Sequence, residues 1–247
     1  MLRFGSPEAL AWLGTHGARA DSVELKALLT CPAGAAAEAL TGRCAPNWSV
    51  RQVHLLDTAG LHLVRAGVEI RLRRRARGRY DLAVCTRRFG SHREAVSPRG
   101  VRVEFDVVPG ALWQDLEVRC EVGARAAGQV ISGTAESWDL LSEDQRSWAR
   151  HGGHSAVDDT CLKELQAHGP LVVHRVKVTS AALGLRRADL EHFRFPSGRE
   201  LVELSTHCRP RDVPETAVAF ERLLDERDVA VAPGYLTKTS VWRDELG

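Results

Sequence analysis

The sequence has no apolar stretch long enough to cross a lipid bilayer. A transmembrane helix needs roughly 20 consecutive apolar residues, and no run in this chain approaches that length. The first residues also lack the apolar core of a secretory signal, since they include Arg3 and Glu8. These absences predict a protein without membrane spans that works in the cytoplasm.

Paired cysteines are missing as well. The six cysteines are scattered, with no Cys-x-x-Cys pair: Cys31, Cys44, Cys85, Cys120, Cys161 and Cys208. This spacing argues against both a zinc ribbon and a disulfide framework. The chain also carries no Walker loop, no dinucleotide-binding fingerprint and no serine nucleophile elbow. The familiar nucleotide-binding and hydrolase motifs therefore do not account for it.

Arginine is abundant, and it is concentrated in one segment. Residues 71 to 102 contain eleven arginines against two acids, whereas the formal net charge of the whole chain is only +2. Such an asymmetry indicates an anionic ligand, because guanidinium forks match phosphate oxygens well. A solvated basic surface is the alternative that this composition leaves open.

The arginines of this segment alternate with aliphatic residues. Arg71, Arg73 and Arg75 share one parity, and Ile70 and Leu72 share the other. Side chains two apart in a strand point to the same face, so one face of the predicted strand is a row of guanidiniums. A row of like charges costs stability unless something anionic lies against it.

Period-two alternation predicts strands in two groups, separated by a helical region. We predict strands over 20–30, 50–56, 68–75, 80–87, 101–108, 171–180, 185–195 and 200–208. Helices are predicted over 5–16, 35–40, 142–150, 158–168 and 214–228. We expect residues 1–19 to be an N-terminal helical extension. Residues 20–247 would form one α+β domain with an antiparallel sheet and a helical insertion at about 111–169.

Short charged motifs follow one another along the predicted strands. In chain order they are Ser22-Val-Glu24-Leu-Lys26, Leu55-Leu-Asp57-Thr58, Ile70-Arg71-Leu72-Arg73, Leu82-Ala-Val-Cys85, Arg102-Val-Glu104-Phe-Asp106, Arg175-Val-Lys177, Glu203-Leu-Ser205 and Lys238. Over roughly residues 20 to 240 this order resembles that of the CYTH family, also called triphosphate tunnel metalloenzymes. The family includes class IV adenylate cyclases, thiamine triphosphatases and inorganic triphosphatases.

The resemblance implies a closed antiparallel eight-stranded tunnel barrel with flanking helices, in which alternate strand residues point inward. By that resemblance, Mg²⁺ or Mn²⁺ would be held by Glu24, Glu104, Asp106 and Glu203. The catalytic residues would be Glu24, Lys26 and Glu104. The phosphate-binding residues would be Lys26, Arg71, Arg73, Arg75, Arg87, Arg102, Arg175, Lys177 and Lys238.

The activity that the resemblance implies is metal-dependent hydrolysis of a triphosphate or diphosphate. The expected partner is a small phosphorylated ligand, with no nucleic acid and no membrane. Two other functions stay open, a cyclase or lyase that expels pyrophosphate and a non-catalytic polyphosphate- or nucleotide-binding module. A further alternative is a sheet face whose charges pair only with each other.

The chain departs from the family pattern at three positions. Ser22 and Ser205 stand where the pattern has acids, with His207 beyond the second, and Cys85 stands where it has a lysine. Fewer carboxylates predict weak metal binding by the free protein, because ligand charge sets affinity. Cys85 has two interpretations, a small core thiol or a thiolate activated by the arginines near it, with Arg87 as a substitute for the missing lysine.

Overall fold

Nine strands form a closed barrel in this computed structural model, which describes residues 4, 7–17, 20–89, 100–155 and 157–246. The strands are β1 Ser22–Leu28, β2 Ser49–Asp57, β3 Val68–Arg74, β4 Tyr80–Phe89, β5 Arg102–Val108, β6 Ala111–Val122, β7 Gln166–Ser180, β8 Leu185–Arg194 and β9 Glu200–Cys208. Around the barrel the order is β1-β5-β6-β4-β3-β2-β7-β8-β9, and β9 pairs again with β1.

Eight helices flank or close the barrel within the described residues. They are α1 Pro7–His16, α2 Ala33–Thr41, α3 His62–Arg65, α4 Ala124–Ile131, α5 Glu143–His151, α6 Asp159–Lys163, α7 Val213–Glu226 and α8 Lys238–Leu246. None of the helices in the described part of the chain combines the length and the apolar content that a bilayer-spanning segment requires. The prediction of a closed barrel with flanking helices is confirmed.

The predicted strand number and strand direction are wrong. The barrel has nine strands instead of eight, and β1 and β5 run parallel, with Ser22 opposite Glu104 and Glu24 opposite Asp106. On its other edge β1 is antiparallel to β9. Because alternation reports only the face of a side chain, it carries no information about strand direction.

The strand that sequence reasoning missed is β6, which occupies residues 111–122 where we predicted the start of the helical insertion. The alternation typical of a strand is nevertheless present in the sequence, since Asp115, Glu117 and Arg119 alternate with Leu116 and Val118. The helices predicted for the insertion lie between residues 124 and 163.

Further elements differ from the prediction. The helix predicted over 158–168 ends at Lys163, and β7 already begins at Gln166. Helices α3, α4 and α8 have no counterpart in the prediction. The remaining strands and helices lie within a few residues of their predicted ranges.

Apolar side chains on the outer face of the barrel hold the helices. Ile70 and Leu72 of β3 are fully buried in a cluster that also contains residues of α3, α4, α5 and α6. A second cluster joins β1, β5, β8 and β9 to α2 and α7. Since Ile70 and Leu72 point outward, the residues of opposite parity, Arg71 and Arg73, point into the barrel.

A third apolar cluster lies inside the barrel and involves α8. Leu55 is paired with Arg71 across β2 and β3, so the two residues share the inner face. Leu55 belongs to a cluster with Phe193, Val241 and Trp242, the last two on α8. The C-terminal helix therefore packs onto the apolar part of the barrel interior.

Gln145 connects α5 to the barrel wall. Its side-chain amide donates hydrogen bonds to the carbonyl oxygens of Leu82 on β4 (2.9 Å) and Val118 on β6 (3.2 Å). Its Oε1 accepts from the backbone N–H of Ser142, whose hydroxyl accepts in turn from the N–H of Gln145. This capping box begins the helix predicted to start at Ser142.

Replacing this buried amide should destabilise the protein. We expect Gln145→Ala to lower the free energy of unfolding by roughly 1–3 kcal/mol, because buried carbonyl groups lose their donor. Urea unfolding followed by circular dichroism measures the change. The matched control is Gln129→Ala, at an exposed position of α4, which should shift the same quantity by less than about 0.5 kcal/mol. Equal losses for the two variants would contradict this role.

Candidate functional site

A cavity of about 400 Å³ occupies the barrel interior and is lined mostly by charged side chains. The cations among its described lining residues are Lys26, Arg51, Arg71, Arg73, Arg75, Arg102, Arg119, Arg175, Arg187 and Lys238. The carboxylates are Glu24, Glu104, Asp115, Glu117, Asp189 and Glu191. These ten cations and six carboxylates give the lining a formal charge of +4, without His207. Three further buried carboxylates, Asp81, Asp106 and Glu203, lie outside this lining and pair with its cations.

The guanidinium of Arg73 is only loosely paired. Its Nη2 atom lies 3.3 Å from Asp81 and 3.6 Å from Glu117. Within the described part of the chain, however, neither its Nε nor its Nη2 has a hydrogen-bond partner. Burial and the neighbouring charge of Arg71 lower the pKa of Arg73 to about 10. Burial therefore disfavours the charged form of Arg73, and Arg71 adds to this effect, whereas Asp81 and Glu117 favour the charged form.

Arg71 and Arg175 also keep donors free. Among the described residues, the Nε atom of each has no hydrogen-bond partner. Arg175 is hydrogen-bonded to Asp189 through Nη2, and its Nε is 3.8 Å from Glu191. Burial and the charge of Arg175 also lower the pKa of Arg51. The side of the cavity formed by β2, β3 and β7 therefore carries an excess of positive charge.

Lys26 lies between two carboxylates and is 7 % exposed. Its ammonium is 2.8 Å from Glu24 and 2.7 Å from Asp106. Burial alone would lower the pKa of Lys26, but Asp106 and Glu24 raise it well above its usual value. The side chain is therefore a permanent cation at neutral pH.

Arg87 binds acids at the barrel wall. Its guanidinium donates to Asp115 at 2.6 Å and to Asp106 at 2.9 Å. Arg87 is absent from the described lining of the cavity, and its role as a phosphate ligand in place of a lysine stays a prediction. Asp106 contacts both Lys26 and Arg87.

Glu24, Glu104 and His207 form a compact cluster. One ligand atom from each lies within 4.8 Å of the others, with His207 Nε2 3.4 Å from Glu24 and His207 Nδ1 3.5 Å from Glu104. Burial opposes ionisation of Glu104, but hydrogen bonds from His207 and Ser22, together with the charge of Lys26, hold its pKa far below the usual range. Two carboxylates and an imidazole suit a divalent cation such as Mn²⁺.

Two residues predicted for the site lie elsewhere. Lys177 has the inward parity of Arg175, but it is exposed and does not appear in the described cavity lining. Glu203 is not part of the Glu24–Glu104–His207 cluster; it accepts a hydrogen bond from Tyr235 and lies 3.0 Å from Lys238. Of the four predicted metal ligands, Glu24 and Glu104 lie in the cluster with His207, whereas Asp106 contacts Lys26 and Arg87 and Glu203 contacts Lys238.

Cys85 is a core thiol. It lies on the inner face between Glu69 and Glu117, and Arg71 Nη2 donates to its sulfur at 2.8 Å. Burial raises the pKa of Cys85 to about 12, so the side chain remains a neutral thiol at physiological pH. The interpretation as an activated thiolate is therefore wrong.

Several charged residues of the interior were missed from the sequence. They are Arg51, Asp81, Asp115, Glu117, Arg119, Arg187, Asp189 and Glu191. Asp189 and Glu191 share the parity of the inward face of β8, and Arg51 has the inward parity of β2. Parity on these predicted strands could have identified them, whereas the residues of β6 required that strand to be recognised first.

Comparisons with known proteins identify the fold. No protein-family model and no curated sequence matches this chain. A solved structure from Hippeastrum, of a protein assigned as an adenylyl cyclase and described as having a dominant triphosphatase activity, matches with a TM-score of 0.64 and 16% identity. That match covers 90% of this chain and 95% of the other.

A second solved structure, of a protein from Bacillus halodurans assigned as an adenylate cyclase, matches with a TM-score of 0.59 and 13% identity. It covers 89% of this chain and 96% of the other. At these identities the likeness concerns the fold. The chain therefore has the tunnel-barrel fold that its resemblance to the CYTH family implied.

Asp81 is a structural carboxylate of the interior, and its removal should have a pH-dependent effect. Its Oδ2 accepts a hydrogen bond from Arg75 at 2.7 Å and lies within 3.5 Å of Arg73 and Arg119. Burial opposes ionisation, but these three guanidiniums outweigh it and lower the pKa of Asp81. We expect Asp81→Asn to reduce the free energy of unfolding by roughly 1.5–3 kcal/mol at pH 7.

The pH dependence of that loss follows from the sign of the shift. A carboxyl with a lowered folded-state pKa stabilises the protein above its unfolded pKa of about 3.9, and this contribution disappears as the pH falls through the folded value. Urea unfolding between pH 7 and pH 2 should show the difference between wild type and Asp81→Asn vanishing in acid. The exposed control Asp228→Asn should show little difference at any pH. A difference that persists at pH 2 would contradict this electrostatic origin.

Proposed function

We propose that this chain binds a triphosphate or diphosphate in the barrel interior and hydrolyses its phosphoanhydride bond with Mg²⁺ or Mn²⁺. The observation that carries the proposal is the set of guanidiniums that lines the cavity on the side of β2, β3 and β7. Three of its guanidiniums, those of Arg71, Arg73 and Arg175, keep N–H donors without partners among the described residues. Phosphate oxygens match such donors in both geometry and charge.

The charge-paired interior is the competing interpretation. Most interior cations do lie within 4.0 Å of a carboxylate, as Lys26, Arg87 and Lys238 illustrate. Several of these carboxylates, however, are shared between cations: Asp81 lies within 4.0 Å of Arg73, Arg75 and Arg119, and Glu117 lies within 4.0 Å of Arg71, Arg73 and Arg119. A phosphate chain would offset the repulsion by Arg71, which adds to burial in lowering the pKa of Arg73. This residual charge favours a polyanion over an empty, self-neutralised cavity.

The donor set of the cluster fits a divalent cation. Glu24 and Glu104 supply carboxylate oxygens, and His207 supplies an imidazole nitrogen once it loses the proton it shares with them. When bound, the ion would neutralise phosphate charge and so stabilise the charge that develops during hydrolysis. Asp106 and Glu203 serve instead as counter-ions that fix Lys26, Arg87 and Lys238.

The residues of this chain contribute mainly by binding and orienting phosphates. Arg71, Arg73 and Arg175 would hold the phosphate oxygens, and Lys26 would bring a permanent positive charge to the carboxylate end of the cavity. A water molecule adds to the terminal phosphorus while the bond to the bridging oxygen breaks. The electron pair stays on that oxygen, and the proton passes to solvent. Charge stabilisation of this step is the main catalytic effect expected.

The triphosphatase activity described for the Hippeastrum protein supports hydrolysis over cyclisation. The decisive experiment incubates the protein with inorganic triphosphate or with ATP, each with Mg²⁺ or Mn²⁺. Release of orthophosphate supports a hydrolase, whereas pyrophosphate together with a new organic product indicates a cyclase or lyase. Binding without any product would leave a non-catalytic polyphosphate-binding module.

Removing one partly unpaired guanidinium should weaken phosphate binding. We expect Arg73→Ala to reduce the affinity for inorganic triphosphate by about 1–3 kcal/mol, the range for a lost hydrogen bond to a charged group. Isothermal calorimetry measures the change, which should shrink as salt is added because ions screen the attraction. Arg222→Ala removes the same charge from the exposed face of α7 and is the matched control. Equal affinities for wild type and Arg73→Ala would remove Arg73 from the site.

Glu104 should be the most important ligand of the metal. We expect Glu104→Gln to abolish metal-dependent phosphate release with the fold unchanged, and Ser22→Glu to tighten Mn²⁺ binding by restoring a carboxylate beside Glu104. A colorimetric phosphate assay and Mn²⁺ titration measure the two effects. The exposed variant Glu226→Gln is the control. Phosphate release that survives both Glu104→Gln and excess chelator would show that the chemistry does not use this cluster.

A further inference from the structure

A second, smaller cavity of about 100 Å³ adjoins the charged one. The two cavities share six described lining residues: Arg51, Arg71, Arg73, Arg75, Glu191 and Lys238. The rest of the smaller cavity is largely apolar, formed by Val53, Leu55, Leu171, Val173, Phe193 and Trp242. A ligand that fills both spaces must therefore be anionic at one end and apolar at the other.

We infer that the substrate is an ester of a diphosphate or triphosphate whose organic part is a small apolar group, no larger than a single ring. The phosphates occupy the charged cavity, and the ring enters the apolar one between β2, β7, β8 and α8. This inference rests on the proposed function and deepens it by naming the substrate class. It predicts a preference for organic over inorganic phosphate chains.

The size of the apolar cavity sets the limit on the organic group. An apolar cavity of about 150 Å³ in another protein accepts benzene. A space of about 100 Å³ that opens onto a larger cavity can therefore admit one ring at most, partly inserted. A longer or bulkier apolar group would collide with Val241 and Trp242, which pack in the interior apolar cluster.

The chemistry of the walls favours a ring. Trp242 is 2 % exposed, and its indole N–H has no hydrogen-bond partner in the described part of the chain. A buried donor without a partner costs roughly 1–3 kcal/mol, so an acceptor on the ring would be stabilised there. On the same wall the Lys238 ammonium lies 4.4 Å from the centre of the Phe193 ring. This cation–π contact fixes Lys238 at the junction, where it faces both the phosphates and the aromatic walls.

The cavity differs from an ordinary packing defect in one respect. A void inside an apolar core is surrounded by apolar groups, whereas this one opens onto Arg71 and Arg73, whose guanidiniums keep unpaired donors. Arranging apolar walls beside partly unpaired cations costs stability unless a ligand with matching ends occupies the space.

The test compares two ligands that differ only in the organic group, methyl diphosphate and benzyl diphosphate, with inorganic triphosphate as the reference. Calorimetry on the wild-type protein with Mn²⁺ should show benzyl diphosphate binding about tenfold more tightly than methyl diphosphate. Equal affinities, or weaker binding of the benzyl ester, would overturn the inference. The wild-type comparison requires no variant and is therefore independent of folding defects.

A variant with a larger side chain in the apolar cavity tests whether the organic group of the ligand binds there. Val53→Phe should reduce the advantage of benzyl over methyl diphosphate to less than twofold. Val50→Phe, at an outward position of the same strand that is 60% exposed, should keep the full preference. A preference that survives Val53→Phe would place the ring elsewhere and overturn the assignment.

The outcomes also separate this inference from the proposed function. If inorganic triphosphate binds but the benzyl ester has no advantage, the phosphate site stands and the apolar subsite fails. If none of the three phosphate ligands binds, the proposed function fails, and the inference that rests on it fails as well.

Discussion

A chain of buried ion pairs holds the barrel interior together. Glu24, Lys26, Asp106, Arg87 and Asp115 contact one another in that order and connect β1, β5, β4 and β6. Each buried charge costs several kcal/mol of desolvation, and only its partners compensate for this cost. Removing one member therefore leaves its neighbours buried and uncompensated. The parallel pairing of β1 with β5 is what brings Glu24 and Asp106 to the same ammonium.

This network also decides where a ligand can bind. On the β1–β5 side of the barrel each cation already has carboxylates at short distance, so little charge is left for an anion. On the β2–β3–β7 side the guanidiniums outnumber the carboxylates, and burial together with neighbouring arginines lowers the pKa values of Arg51 and Arg73. The apolar cluster below α8 then closes that side against water. An amphipathic phosphate ester fits the sequence of environments from carboxylates through guanidiniums to aliphatic side chains.

Sequence patterns predicted which face of the sheet a side chain lies on far better than they predicted its position along the barrel axis. The parity of Arg71 and Arg73 placed them inside, as the structure finds. The same parity placed Lys177 inside, yet this residue is exposed and outside the described cavity lining, although its cross-strand partner Asp189 belongs to that lining. Glu203 is four residues from His207, about 13 Å along the strand, so it cannot join the cluster at Glu24. The position along the barrel axis depends on strand register and strand tilt, and the alternation of residues within one strand does not encode either.

The three departures from the family pattern act together on the charge of the interior. Ser205 lies opposite Lys26, so the absence of an acid there leaves that ammonium to Glu24 and Asp106 alone. His207 lies opposite Glu24, where its imidazole joins the carboxylates.

Ser22 and Cys85 are the other two departures from the family pattern. Ser22 donates to Glu104 instead of repelling it, which keeps Glu104 ionised, and Cys85 accepts from Arg71 where a lysine would repel it. Both residues are uncharged where the family pattern has a charged side chain. Each instead forms a hydrogen bond with a charged neighbour, Ser22 with Glu104 and Cys85 with Arg71. The candidate metal ligands Glu24, Glu104 and His207 thereby gather in one cluster, and Arg71 has a neutral neighbour at Cys85.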